Sequence, residues 1–409
     1  MAQRREVAII GAGLSGLALA LALHEQNIPS TVYESRSESF NIGGAVMLSP
    51  NALKVLDALG VYSRVRGKGF NFETLEYRDG DGNLDEVNEV YEFGGEAKYG
   101  YKALRIYRHV LIDELLAMLE EKGISLKYSM KFKRVVEEGD DQVTWEWADG
   151  TQQSAALLVG ADGIHSTVRK YLYPDLTPTF IGMAGITAAV PREQLKIPEG
   201  YHIPVTFTTK KYGAFVIAPQ QIDGSEVLIG KQKRLEDRGK EEWAAVVADK
   251  QSLVEFLQQN AEEFPPIVQN AVTNIPTDKI NVWPFYIVPK LDKWSSPTRR
   301  IVILGDAAHA IPPSAGQGIN QAFEDIYMFS LLLAQAGKVE IQKALTFWQN
   351  YRQQRIEAIM ALNKQIDLRR MPSDEKTKGE MEEMNLEWLY SPDFKAVVEN
   401  WLAEQTGSD

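Results

Sequence analysis

The 409-residue chain contains no cysteine. That absence excludes a disulfide framework, a thiolate zinc site, an iron–sulfur cluster, a cysteine nucleophile and a redox-active dithiol. Positive charge is in deficit: 44 Lys and Arg stand against 56 Asp and Glu, a net charge of −12. An acidic surface repels phosphate backbones, so nucleic acid is not an expected partner. No apolar run long enough to cross a bilayer stands out, and no membrane span is expected. Residues 7–23, preceded by Arg4 and Arg5, superficially look like a secretory signal, but glycines interrupt them and no clear cleavage site follows. The expectation is a cytoplasmic protein. What is present, 44% hydrophobic and 24% charged residues, is ordinary globular composition. The length predicts two or three domains.

The first 34 residues read as strand, turn, helix, strand. Residues 6–10 form an apolar run, 14–26 are rich in Leu and Ala, and Pro29 ends the helix. A second helix is expected at 109–121, followed by short strands at 125–127, 132–137 and 142–147, with a turn at Asp149-Gly150. From 177 to 231 the pattern becomes that of an antiparallel sheet, with strands at 180–190, 205–209, 213–218 and 226–230. Helices are expected at 241–260 and 266–273, a buried strand at 300–304, and long helices at 320–335 and 340–368. The charged stretch 373–383 reads as a solvated loop or helix start, and the apolar residues beyond it predict a packed tail.

Three glycine-containing loops each follow an apolar strand. Gly11-Ala12-Gly13-Leu14-Ser15-Gly16 opens the first helix. Its first glycine allows a tight turn, its second lets a pyrophosphate approach the backbone, and its third permits close helix–strand packing. Glu34 lies 18 residues past Gly16, at the end of the second strand. An acid there accepts hydrogen bonds from a ribose and repels a ribose phosphate, which favours FAD or NAD over NADP at this site. The second loop is Gly160-Ala161-Asp162-Gly163, continuing to Arg169. The third is Gly305-Asp306, continuing through His309 and Pro312-Pro313 to Gly316-Gln317-Gly318-Ile319-Asn320. Asp306 could accept from sugar-type hydroxyls, and a helix opening at Gly318 could stabilise an anionic ring system.

These three motifs, in this order and spacing, resemble the class A flavoprotein monooxygenases, the group of para-hydroxybenzoate and salicylate hydroxylases. The resemblance covers most of residues 5–365 and is weakest at 176–280 and after 370. It implies an α/β fold: a discontinuous Rossmann-like FAD-binding domain (1–72, 101–175, 281–370), an inserted β-rich substrate domain (73–100, 176–280) and a C-terminal helical tail (371–409). Gly11, Gly13 and Gly16 would hold the FAD pyrophosphate and Glu34 the adenosine ribose, with Arg36 near the adenosine. Gly43-Gly44-Ala45-Val46 would border the flavin ring, Arg108 would contact the FAD, and Asp162 would begin a segment linked to FAD and NAD(P)H binding. Asp306 would bind the ribityl chain, Gly318, Ile319 and Asn320 would approach the flavin pyrimidine edge, and Gly316 of the same loop would also bind the cofactor.

The implied activity is hydroxylation of an electron-rich aromatic, phenolic or polyketide-like small molecule. NADPH or NADH would reduce bound FAD and leave, and O₂ would form a C4a-hydroperoxide that delivers the hydroxyl group. The single dinucleotide fingerprint fits a visiting nicotinamide. Within the insert, His202, Tyr212, Phe215, Trp283, Phe285 and Tyr286 are candidate substrate contacts, though aromatic residues of this kind are more often core. His202, Tyr212 and Lys231 are the candidate bases for a phenol, and no catalytic residue is assigned. His165 and His309 read as packed or hydrogen-bonded residues, and Arg169 as a salt-bridge former. Two alternatives stay open: a flavin-dependent reductase of the geranylgeranyl type, and a non-catalytic flavin- or ligand-binding protein. Substrate, regiochemistry, choice of nicotinamide and oligomeric state are not legible.

Overall fold

The computed structural model describes residues 6–39, 44–84, 90–370 and 385–406. Arg4, Arg5, Gly43 and the charged stretch 373–383 lie outside the described residues.

A five-stranded parallel sheet runs in the order Ile301–Ile303, Leu157–Gly160, Val7–Ile10, Ser30–Tyr33, Ser125–Lys127. Val7–Ile10 and Leu157–Gly160 are buried at every position, as strands covered on both faces must be. The helix Leu14–Glu25 is buried from Gly16 to Leu23. A helix apolar on all sides has to be enclosed, and Gly318–Leu333 and Arg108–Glu121 pack against it.

The second large sheet has seven strands in the order Ile280–Ile287, Thr179–Pro191, Glu226–Arg234, Gly213–Pro219, Val205–Thr209, Thr74–Arg78, Val90–Glu92. Only Val205–Thr209 and Thr74–Arg78 pair in parallel. The domain edge expected at 281 therefore falls inside a strand of this sheet. Its two faces differ. Ile186, Val205, Phe215, Ile217 and Ile229 pack against Leu253, Leu257, Phe264 and Val268 of the helical segments that cover one face. Strand alternation turns Thr206, Tyr77 and Gln232 to the other face. There Leu75, Tyr77, Tyr91 and Phe93 form a core with Ala315, Ile359, Leu362, Leu389 and Tyr390. The expected helix at 241–260 is two helices, Lys240–Ala248 and Lys250–Gln258, separated at Asp249, whose carboxylate caps the second by accepting from Ser252 N at 3.2 Å.

A three-stranded sheet of Ala45–Leu48, Ala103–Tyr107 and Phe70–Phe72 joins the two halves. The sequence reading placed no strand in these segments. A further sheet of Phe132–Glu138, Val143–Trp147 and Gln152–Ala155 packs Trp145 and Trp147 around Tyr33. The tail is docked: Leu386 and Leu389 are buried beside the 359–366 stretch of the helix Ile341–Arg370, and Trp401 joins the large core. Trp388, expected to pack with them, is 39% exposed.

Phe215 is 1% exposed and packs its ring, tilted, against Phe264 inside the covered face. Phe215→Ala is expected to lower stability by about 3–5 kcal/mol, measured by urea unfolding. A loss below 1 kcal/mol (roughly one methylene's worth) would mean that the ring does not pack as described.

Candidate cofactor and substrate site

The three loops meet because they leave the C-terminal ends of adjacent parallel strands, where ligands bind in sheets of this type. Glu34 ends the next strand along. The fit is tight. A Cβ at Gly11, whose φ is +107°, would stand 2.6 Å from Ala161 O in the second loop. A Cβ at Gly16 would stand 1.9 Å from Gly11 O. A Cβ at Gly305, φ +58°, would stand 3.2 Å from Ser15 Oγ of the first helix. Gly13 and Gly318 differ, since nothing lies within 4 Å of a Cβ at either position. Each sits at the start of a long helix that has no side-chain N-cap, so first-turn N–H groups stay free for an anionic ligand.

Glu34 is 7% exposed, and its carboxylate bridges the first loop and its own. Oε2 accepts from Ala12 N at 3.0 Å and Oε1 from Arg36 N at 2.9 Å. Arg36 Nη1 lies 3.6 Å from Oε1. Arg108 starts the helix Arg108–Glu121, and its N–H donates to Gly44 O at 3.4 Å. Asp306 opens toward solvent, yet protein surrounds it closely enough to push its carboxyl above the usual range, against the pull of His309 and Arg108.

Asp162 spends its carboxylate on its own loop, accepting from Ser166 Oγ at 2.5 Å, Thr167 N at 2.7 Å and Val168 N at 3.2 Å. Burial nonetheless raises its pKa. Arg169 does not pair with an acid as expected. It donates to Ile164 O at 2.6 Å and Ala307 O at 2.9 Å, which ties the second loop to the third. His165 is exposed. His309 is buried with Nε2 2.5 Å from Asp325 Oδ2, and its ring lies 5.0 Å from that of Trp294.

Beneath the third loop lies a buried ionic cluster that the sequence reading missed. Glu324, Asp325 and Arg352 are each 0% exposed and Arg355 is 9% exposed. Arg352 Nε donates to Asp325 Oδ1 at 2.8 Å, and its Nη1 donates to Glu324. Arg355 grips Glu324 with two donors at 2.7 and 2.8 Å. Asp325 Oδ2 also accepts from Gly305 N at 2.9 Å, and Glu324 from Asn51 Nδ2 at 2.6 Å. Asn320 continues the bracing, with Oδ1 accepting from Ser49 N at 3.0 Å and Nδ2 donating to Met47 O at 3.0 Å. Asn320 thus spends its side chain inward, on Ser49 and Met47. The available signal was two adjacent acids in the middle of an apolar helix, with two arginines three residues apart in the next helix.

The six substrate candidates are not brought together. Phe215 and Tyr212 belong to the helix-covered side, where Tyr212 OH lies 3.4 Å from Glu263 Oε1. Lys231 shares that side and caps a helix end, donating to Gln259 O at 2.8 Å and Phe256 O at 3.2 Å, while burial pulls its pKa down to about 8. His202 Nε2 is 2.8 Å from Thr74 O. Tyr286 OH donates to Asp237 at 2.8 Å near the sheet edge, Trp283 is 53% exposed, and Phe285 is buried against Gly185.

The glycines, uncapped helix starts and flanking acids fit a flavin dinucleotide. Glu34→Ala and Asp306→Ala should each weaken FAD retention by roughly tenfold, about 1.4 kcal/mol. Equal flavin occupancy in wild type and both variants on fluorescence titration would contradict this placement. The ionic cluster makes a second prediction. Burial alone would raise both carboxyls, but the arginines outweigh it at Glu324, and His309 with Arg352 does so at Asp325, holding both below the ordinary range. Folded pKa values below the unfolded ones contribute stability above about pH 4 that is lost as pH falls through the folded values. Arg352→Met should therefore cost about 3–5 kcal/mol at neutral pH, with a smaller cost in acid; thermal unfolding at two pH values measures both.

A family profile described as an FAD binding domain matches residues 4–363. Hispidin-3-hydroxylase of Neonothopanus nambi is 29% identical over 384 residues, covering 87% of this chain and 86% of its own. The 3-amino-4-hydroxybenzoate 2-monooxygenase PtnB3 of Streptomyces platensis is 30% identical over 366 residues, covering 87% and 86%. Among solved structures, CtdE in complex with FAD and a substrate superposes with a TM-score of 0.79 at 21% identity, covering 99% of this chain and all of the other. Klebsiella pneumoniae HpxO complexed with FAD and uric acid gives 0.75 at 21% identity, covering 97% and 96%. No described helix is long and apolar enough to cross a membrane. The chain belongs to the FAD-binding-domain family of aromatic-hydroxylase-type, FAD-dependent monooxygenases.

Proposed function

We propose that the protein uses NADH or NADPH, FAD and O₂ to hydroxylate an electron-rich aromatic small molecule. The observation that carries this reading is the placement of a single dinucleotide cradle directly against a second sheet. The Gly316 turn touches both halves: a Cβ there would stand 2.6 Å from Met47 Cε and 3.9 Å from Phe93 Cζ. Bound FAD supplies hydride acceptance and activation of O₂, chemistry that amino-acid side chains do not provide. The chain's own contribution is orientation and exclusion of water. Gly11, Gly13, Gly16 and Glu34 would anchor the adenine half, with Arg36 nearby. Arg108 and Asp306 would hold the middle of the cofactor, and the Gly316–Asn320 turn its ring. Asp162 would act through the loop that its carboxylate shapes.

The face of the seven-stranded sheet opposite the helices Lys240–Ala248 and Lys250–Gln258, with Met47 and Phe93, would wall the substrate. Hydroxylated aromatic rings named for the relatives support that substrate class. A reductase of the geranylgeranyl type is not favoured, since the named relatives are hydroxylases and monooxygenases.

A panel of phenols, hydroxybenzoates and polyketide-like aromatics tests the reading. Substrate-stimulated NAD(P)H oxidation with one oxygen atom added to the product is expected. Reduction of a double bond without oxygen uptake, or no stimulation by any compound in the panel, would reject it.

A further inference from the structure

The helix Ile341–Arg370 is tied to the third loop at both ends of that loop. At one end, Arg352 holds Asp325, whose carboxylate accepts from Gly305 N. At the other, Asn363 Oδ1 accepts from Ala315 N at 2.8 Å, and Asp367 Oδ1 accepts from Ser314 Oγ at 2.5 Å. Arg370 Nη1 donates to Ser314 O at 3.2 Å. Arg352, Arg355, Ile359, Asn363, Ile366 and Arg370 recur every three or four residues, so they share one stripe of the helix. At 1.5 Å per residue that stripe is about 27 Å long.

Ser314 and Asn363 are buried. The Asn363 amide is itself oriented, since its Nδ2 donates to Ile359 O at 3.1 Å. Asp367 is half-buried. Burial raises its pKa, against the pull of Ser314, Arg370, Gln232 and Arg234. Gln232 and Arg234 belong to the strand Glu226–Arg234, so this carboxylate stands where loop, helix and seven-stranded sheet meet. Ser314 and Ala315 thus give a hydroxyl, a carbonyl and an N–H to the helix. Apolar packing of Ala315 with Ile359 and Leu362 already holds the loop against it. Such packing is non-directional; the three hydrogen bonds also fix the rotation of the turn.

That rotation is passed on at once. Gly316, with φ +64°, ends the turn Pro313–Ala315, and only Gln317 separates it from the helix Gly318–Leu333. The direction of the free N–H groups at that helix start follows from the direction of the turn. Such groups favour negative charge on whatever faces them, and a flavin ring carries more electron density when reduced.

We propose that Asn363 and Asp367 are positioning residues for the flavin: they fix Ser314 and Ala315 so that the N–H groups opening Gly318–Leu333 face the ring and favour its reduced form. The inference rests on the reading above that the Gly316–Asn320 turn holds the ring.

The test is a dithionite titration of the FAD-loaded protein against a reference dye, with no substrate present. Asp367→Leu and Asn363→Leu should each shift the visible flavin band and lower the midpoint potential, by about 30 mV for a tenfold loss of preference for the reduced form. Ser314→Ala should do the same, and adding it to Asp367→Leu should change little more. Asp367→Asn, which keeps an oxygen for Ser314 Oγ, should show no fall. Wild-type potentials in Asp367→Leu and Asn363→Leu overturn the proposal. If Asn363→Leu does not fold, wild-type potentials in Asp367→Leu and Ser314→Ala do so. A rise in both Asp367→Leu and Asp367→Asn also overturns it, because the carboxylate would then act through its own charge. Gly318→Val tests the underlying reading separately, since a Cβ at Gly318 meets nothing within 4 Å. A shifted flavin band in Gly318→Val beside silent Asn363 and Asp367 variants keeps the ring placement and rejects the positioning role. An unchanged band in all of them rejects both.

Discussion

Two buried carboxylates and two buried guanidiniums hold the cofactor groove in shape. Glu324 and Asp325 sit side by side in Gly318–Leu333, and Arg352 and Arg355 reach them from Ile341–Arg370. None of the four could be left unpaired in that interior without a large desolvation cost. Mutual satisfaction fixes the two helices against each other. The cluster's outward bonds then carry that rigidity to the site: Asp325 holds Gly305 N, and Glu324 holds Asn51. Arg355 also donates to Trp388 O and Leu389 O, so the tail is fastened to the same cluster. One electrostatic arrangement thereby positions a cofactor loop, the segment after Ala45–Leu48 and the C-terminal tail.

Around that anchor the loops approach one another closely. Gly11 meets Ala161, Gly16 meets Gly11 and Gly305 meets Ser15, each at a distance a side chain would violate or crowd. Arg169 adds a bridge between the second and third loops. The three loops are consequently packed closely together, with the helix starts at Gly13 and Gly318 left without side-chain caps. Glu34 completes the arrangement, already oriented by Ala12 N and Arg36 N.

The seven-stranded sheet divides its chemistry by face. Helices cover one face, and Phe215, Tyr212 and Lys231 are committed to that packing. The other face meets Ile341–Arg370, the tail and the Met47 strand. A substrate wall on that face would draw residues from remote parts of the chain, including Met47 and Phe93.

The family and its cofactor were readable along the chain. Gly11, Gly13, Gly16, Glu34, Gly305, Asp306 and Gly318 stand out because phosphate approach, tight turns and ribose contact would each demand a residue type at a fixed offset from a strand end. The parallel strands were legible for a related reason, since burial on both faces leaves an unbroken apolar run. The substrate half was decided by tertiary structure. An aromatic residue in the insert reads the same whether its strand face meets a helix or a ligand, and register alone sent Phe215 to the helices. Glu324, Asp325, Arg352 and Arg355 look like ordinary helix charges along the chain; only the packing of two helices turns them into a buried, neutralised cluster.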